Sequence, residues 1–182
     1  MGPTEPGPEY RGRAMVDSVS AHEPDWSREA KPWFAWDPSR SLLASLRAYQ
    51  HSADSNHPWH RLIRVVAVLR HRFWSVVAGA DIPLNCHIGG GLLMPHPNGI
   101  VIHPDAIIGP NCLFFQQVTV GQNHDGVPRI GGHVDLGAGA KVLGPITLSD
   151  HARVGANAVV LIDVPAGATA AGVPARIVKQ PV

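Results

Sequence analysis

A chain of 182 residues with 45% hydrophobic content can bury one core, so a single domain with an appendage is expected. A net charge of +1 and a mean hydropathy near zero give no electrostatic reason to expect nucleic acid or an acidic membrane as partner, so binding should rest on shape and specific groups. Two cysteines, Cys86 and Cys112, have no metal-ligand spacing, and the first residues lack the apolar core of a signal peptide; both imply a soluble, cytoplasmic protein with reduced thiols.

Residues 1 to 32 are rich in Pro, Gly and charge without an apolar period, which predicts a flexible arm with no catalytic role. A helical segment follows over residues 33–79. Asp37-Pro38 is an N-cap and first-turn pair, and Leu42, Leu43, Leu46 and Tyr49 recur at helical spacing behind it. A second helix is predicted from Pro58 to Ala78, with Leu62, Ile63, Val66, Leu69, Phe73, Trp74 and Val77 on its apolar side and Gly79 as its stop. Arg61, Arg64, Arg70 and Arg72 form its polar, solvated face, and their charges break any run long enough to span a membrane.

After Gly79 the period becomes six. Ile82, Ile88, Met94 and Ile100 form one register; Ile102, Ile108, Phe114 and Val120 a second; Ile130, Leu136, Val142, Leu148, Val154 and Val160 a third. Four residues after these sites the side chain is small or aliphatic, as at Cys86, Ala106, Cys112, Val134, Ala140, Ala152 and Ala158. No helix holds a six-residue period on one face. Short strands separated by tight turns do, with coils stacked so that one ladder points inward. Both cysteines then belong to the core.

The segments DIPLNCHIGGGLLMPHPNGIVI, GAGAKVLGPITL and VGANAVVLIDVPAGATAAGVPARIV, in this order and on this register, resemble the hexapeptide-repeat acyltransferases, specifically the serine acetyltransferases, over about residues 80 to 179. The resemblance implies a mainly β fold, a left-handed parallel β-helix over residues 80–182 preceded by the short α-helical segment. It also implies a homotrimer or dimer of trimers, with acetyl-CoA as co-substrate in the groove between neighbouring β-helices.

His96 stands in an irregular turn where the register gains two residues. In the resembled family the histidine at this place is the general base, which a neutral hydroxyl requires near pH 7. Asp81 matches the carboxylate that orients it. His103 opens a regular coil and reads as a turn residue. His87, His124, His133 and His151 raise a zinc alternative known from carbonic anhydrases of related architecture, but no pair has the spacing for such a site, so no metal is expected.

Val120 and Ile130 are ten apart, so four residues beyond a hexad are extruded around Asn-His-Asp-Gly. This loop departs from the family's longer loop with its Arg-His pair. Arg129, beside the base, is the candidate for an amino-acid carboxylate, and His124 or Asn123 for the hydroxyls of a sugar. Pro95 replaces the family's usual Asp. By resemblance, Gly137, Ala138 and Ala156 flank the pantetheine arm, and Arg176 and Lys179 approach the 3′-phosphate. Three readings remain open: serine O-acetylation feeding cysteine synthesis, O-acetylation of a sugar, exopolysaccharide or other small hydroxyl metabolite, and a non-catalytic β-helix assembly module.

Overall fold

The computed structural model of the chain describes residues 19–32, 34–53 and 57–180. Helix α1 (Pro38–Ala53) begins where the sequence places it, and α2 (Pro58–Ala78) both begins and ends there. Asp37 Oδ1 accepts the Arg40 N–H at 3.0 Å, satisfying a donor that the first turn leaves open. Gly79 ends α2 with φ 64°, a left-handed conformation that a residue without Cβ adopts freely.

The rest of the described chain winds through about five turns of a mainly β solenoid, the left-handed parallel β-helix expected. Three parallel faces succeed one another in each coil. Face I stacks Val101–Ile102, Thr119–Gly121, Lys141–Leu143 and Val159–Val160; face II stacks His87–Ile88, Ile107–Ile108, Arg129–Ile130 and Thr147–Leu148. Face III stacks Leu113–Phe114, Asp135–Leu136, Arg153–Val154 and Thr169–Gly172, and is closed by antiparallel Ala175–Lys179. All fourteen hexad residues are buried, as are the small residues between them. Registers such as Phe114↔Leu136 and Leu136↔Val154 put equivalent side chains directly over one another.

One register assignment changes. Ile100 is not a ladder residue: Val101 N–H bonds Val118 O while Asp81 N–H bonds Ile100 O, which makes Ile100 the coil-1 equivalent of Val118, Ala140 and Ala158. The two extra residues therefore lie within the turn after Met94 that carries His96.

Both cysteines are core residues, and burial pushes each thiol up to about 12. Leu42, Leu43 and Leu46 of α1 join the same core as Ile82, so the first coil does not open onto water.

Two expectations meet a different structure. Residues 1–18 lie outside the described residues, but 19–32 are tied down along the β-helix. Asn111 accepts the Asp25 N–H at 2.8 Å and donates to Ser20 O and Glu23 O. Glu29 accepts the Gly91 and Leu92 N–H groups and pairs with Arg47 at 2.8 Å, while Arg47 also donates to Ile88 O and Gly89 O. Long-range polar contacts, which composition does not encode, offset the ordering entropy of this segment. The second concerns α2. Of its apolar series only Ile63 and Trp74 are partly buried; Leu62, Val66, Leu69, Phe73 and Val77 face outward, and Ala67, His71 and Ala78 form the buried face.

Candidate active site

The solenoid has three edges, and its distribution of residues among them defines the site. The edge between faces III and I carries His96 in coil 1, Gln116 in coil 2, Gly137 and Ala138 in coil 3 and Ala156 in coil 4. Adjacent turns are hydrogen-bonded: Gln117 N–H to Asn98 O, Gly139 N–H to Gln116 O and Asn157 N–H to Ala138 O, the last at 2.7 Å. With coils about 4.8 Å apart, His96 stands about 14 Å from Ala156 along this edge.

His96 is exposed on the turn enlarged by two residues. Asp81 is held against that turn by its backbone, with its N–H on Ile100 O at 2.8 Å and its carbonyl accepting from Ile102; Gly99 N–H reaches Gly79 O. Asp81 stands in register with Val101, in the strand that follows the His96 turn, and no hydrogen bond joins the Asp81 and His96 side chains among the described residues. Apo sites commonly show such loose geometry before substrate closes it.

Gly137 is required by coil packing itself. A Cβ there would stand 2.6 Å from Ala156 N and 2.8 Å from Val154 O. The small residues thus satisfy the stacking and, by the same fact, leave a smooth edge that a narrow ligand can follow. Arg176 and Lys179 are exposed on the terminal strand that pairs beside Thr169–Gly172, at the far end from His96. Gln116 escaped sequence reasoning: its Oε1 is buried without a partner on this same edge, and no motif announces it.

The acceptor loop lies elsewhere. Asn123, His124 and Arg129 sit between or on faces I and II, a different edge from His96, so within one chain Arg129 is not beside the base. Asn123 Oδ1 accepts from the Asp125 and Gly126 N–H groups, which spends it on the turn. Arg129 belongs to a strand and points outward from face II, in register with Ile107 and Thr147. Sequence proximity across a coil does not become spatial proximity when the chain turns a corner between the two positions.

His103, His133 and His151 have structural work. His103 Nδ1 accepts the Asp105 N–H, fixing the turn as expected. His133 and His151 occupy left-handed corners, φ 53° and 60°, with their Nδ1 atoms 2.8 Å apart. Burial pushes the His133 imidazole below its ordinary range and raises the Asp135 carboxyl beside it. Among the described residues no three His, Cys, Asp or Glu side chains converge as a metal site.

A parallel β-helix on a hexad ladder, with a histidine displayed on one edge, defines the hexapeptide-repeat acyltransferase class. The curated serine acetyltransferase of Haemophilus influenzae is 36% identical over 149 residues, 80% of this chain and 56% of that protein. A solved serine acetyltransferase in complex with CoA matches with a TM-score of 0.66 and 35% identity, covering 79% of this chain and 58% of that one. Soybean serine acetyltransferase complexed with serine matches with a TM-score of 0.58 and 33% identity, covering 78% and 70%. The chain belongs to the serine acetyltransferase family. It spans about half the length of the curated relatives it matches, and no family model matches it.

Proposed function

We propose that this chain is an acyltransferase that moves the acetyl group of acetyl-CoA to the hydroxyl of L-serine, as a step toward cysteine. The observation that carries the reading is the single edge that holds His96 at one end and the small residues Gly137, Ala138 and Ala156 along its length, with Arg176 and Lys179 on the strand that closes face III at the far end of the β-helix. An extended pantetheine arm matches an edge of this length, with the thioester at His96 and the phosphates near the two cations. Relatives solved with CoA and with serine support both substrates.

In this mechanism His96 takes the proton of the serine hydroxyl as the oxygen attacks the thioester carbonyl carbon. The C–S bond then breaks and His96 returns the proton to the departing sulfur. Asp81 orients the ring and stabilises its protonated form. Because Arg129, His124 and Asn123 lie on another edge of the same chain, they reach His96 only from a neighbouring subunit, so the reading requires an oligomer, which the homotrimer implied by the family resemblance would supply. It also carries a cytoplasmic location, in keeping with two unpaired buried thiols.

Thiol release from acetyl-CoA tests this with serine, homoserine and a panel of sugars as acceptors. His96→Ala should lower turnover roughly 10²-fold or more in a correctly assembled protein, and Asp81→Asn should act on kcat more than on either KM. Near-normal turnover by His96→Ala, or preference for a sugar over serine, would overturn the assignment.

A further inference from the structure

The corner column of the His96 edge is polar at one end and small at the other. Hydrogen bonds from Gln117 N–H to Asn98 O, from Gly139 N–H to Gln116 O and from Asn157 N–H to Ala138 O make Asn98, Gln116 and Ala138 equivalent positions of coils 1, 2 and 3, and Ala156 continues them in coil 4. His96 lies two residues before Asn98, so Gln116 stands one coil, about 4.8 Å, beyond the turn of the base, between it and the small residues.

The two amides of the column differ in their surroundings. A Cβ on Gly79 would meet Asn98 Nδ2 at 2.5 Å, which places the Asn98 amide over the stop of α2. Gln116 Oε1 is buried without a partner, while its Nε2 reaches the surface and makes no hydrogen bond among the described residues. The open end of this side chain is therefore a pair of N–H donors. Its turn is pinned by the two ladder bonds and by Lys141 Nζ, which donates to Gln117 O at 2.6 Å. An unsatisfied buried carbonyl destabilises the fold that contains it, and a group retained in spite of that calls for a function.

We propose that the Gln116 amide is the oxyanion donor of acetyl transfer, hydrogen-bonding the thioester carbonyl oxygen as it becomes negative. The inference rests on the acetyl-transfer reading and adds to it a residue for the developing charge. A thioester presented to His96 by an arm lying along Ala138 and Ala156 has to cross coil 2, which brings its carbonyl beside Gln116. As the serine oxygen bonds to the carbonyl carbon, the π pair moves onto the carbonyl oxygen. When that pair returns, the C–S bond breaks and the sulfur leaves with its electrons, taking the proton held by His96. Donors already fixed on a pinned turn stabilise the charged oxygen without reorganising, and more strongly than they bind the neutral carbonyl of the ground state.

Kinetics and melting of the full chain carrying Gln116→Met test it. Methionine keeps the volume, removes both donors and removes the orphaned carbonyl. The kcat should fall roughly 10²-fold, while KM for acetyl-CoA and serine, and the Kd of CoA, which has no acyl carbonyl, change by less than about twofold. The melting temperature and the mass by light scattering should not fall, so activity is lost without stability, which a merely structural glutamine would not give. Gln116→Glu, which sets a carboxylate against the forming oxyanion, should be slower still. The proposal is overturned by a loss confined to KM or CoA affinity, or by a variant that melts lower or dissociates, either of which makes Gln116 a packing or interface residue. An unaltered protein that releases no thiol with any acceptor brings down the acetyl-transfer reading and this one together, whereas near-normal kcat in Gln116→Met beside an inactive His96→Ala overturns this one alone.

Discussion

The β-helix and the helical hairpin before it are both rich in aliphatic residues, yet they use them in opposite ways. In the β-helix the hexad residues point inward without exception, and each coil covers the ladder of its neighbour. In α2 the large apolar residues other than Ile63 and Trp74 point outward, and the buried face is built from Ala67, His71 and Ala78. The difference arises from geometry. A three-faced coil has one interior, so a position in the hexad is also a direction; a helix has a continuous surface, and its period shows which residues share a side without showing which side meets the core. The same contrast extends to charge, since the hairpin concentrates arginine while the rest of the chain is net acidic.

The sharpest way to break the comparison is a matched pair of truncations. Phe114→Ala, in the centre of the ladder, should lose about 3–5 kcal/mol of stability, whereas Leu69→Ala on the outer stripe of α2 should change it by less than about 0.5 kcal/mol. Urea denaturation of the two variants measures both, and comparable losses would mean that α2 is covered in the folded assembly.

The junction between the two regions gives the next effect. Glu29 is nearly buried, pairs with Arg47 of α1 and accepts two backbone N–H groups from coil 1. Glu29→Ala leaves the guanidinium without its carboxylate and those donors unsatisfied, at a cost of about 3 kcal/mol. A midpoint shifted by less than a third of that amount would show that Arg47 finds its carbonyl partners sufficient.

A smaller change is expected farther down the β-helix, where Asn111 binds the arm through three hydrogen bonds at φ 61°. Asn111→Ala should lose about 2 kcal/mol, since alanine forfeits those bonds and resists a left-handed corner. Limited proteolysis should then cut within 19–32 faster than in the unaltered protein, with the β-helix itself intact.

The mildest effect is on pH dependence. Burial lowers the His133 pKa despite the nearby Asp135 carboxylate, and His151, Arg28 and Arg153 push it the same way. The unfolded chain therefore takes up a proton near 6.5 before the folded one does, so stability is full above that pH and falls as pH drops from there toward the folded value. His71, also lowered by burial, adds to this slope. Asp135, raised by burial, acts with the opposite sign across the carboxylate range. Melting temperatures from pH 8 to pH 5 should decline less for His133→Asn, which keeps a residue tolerant of the left-handed corner.

By itself the sequence determined the ladder apart from Ile100, the burial of both cysteines, the start of α1, both bounds of α2 and the irregular turn that displays His96. Each of these follows from a local rule: a period, a cap, or a register gain over a few residues. It also marked Gly137, Ala138 and Ala156 through the resemblance, but not that they share an edge with His96. Only the tertiary structure decided which corner each turn occupies, and so it separated Arg129, His124 and Asn123 from His96 and brought Gln116 onto its edge. It likewise decided that residues 19–32 are fastened to the β-helix and that α2 turns its apolar stripe away from the core. The physical reason is common to all of them: closure of a coil, docking of an arm and choice of a helix face depend on residues distant in the chain, whose contacts leave no periodic trace in the segments they hold.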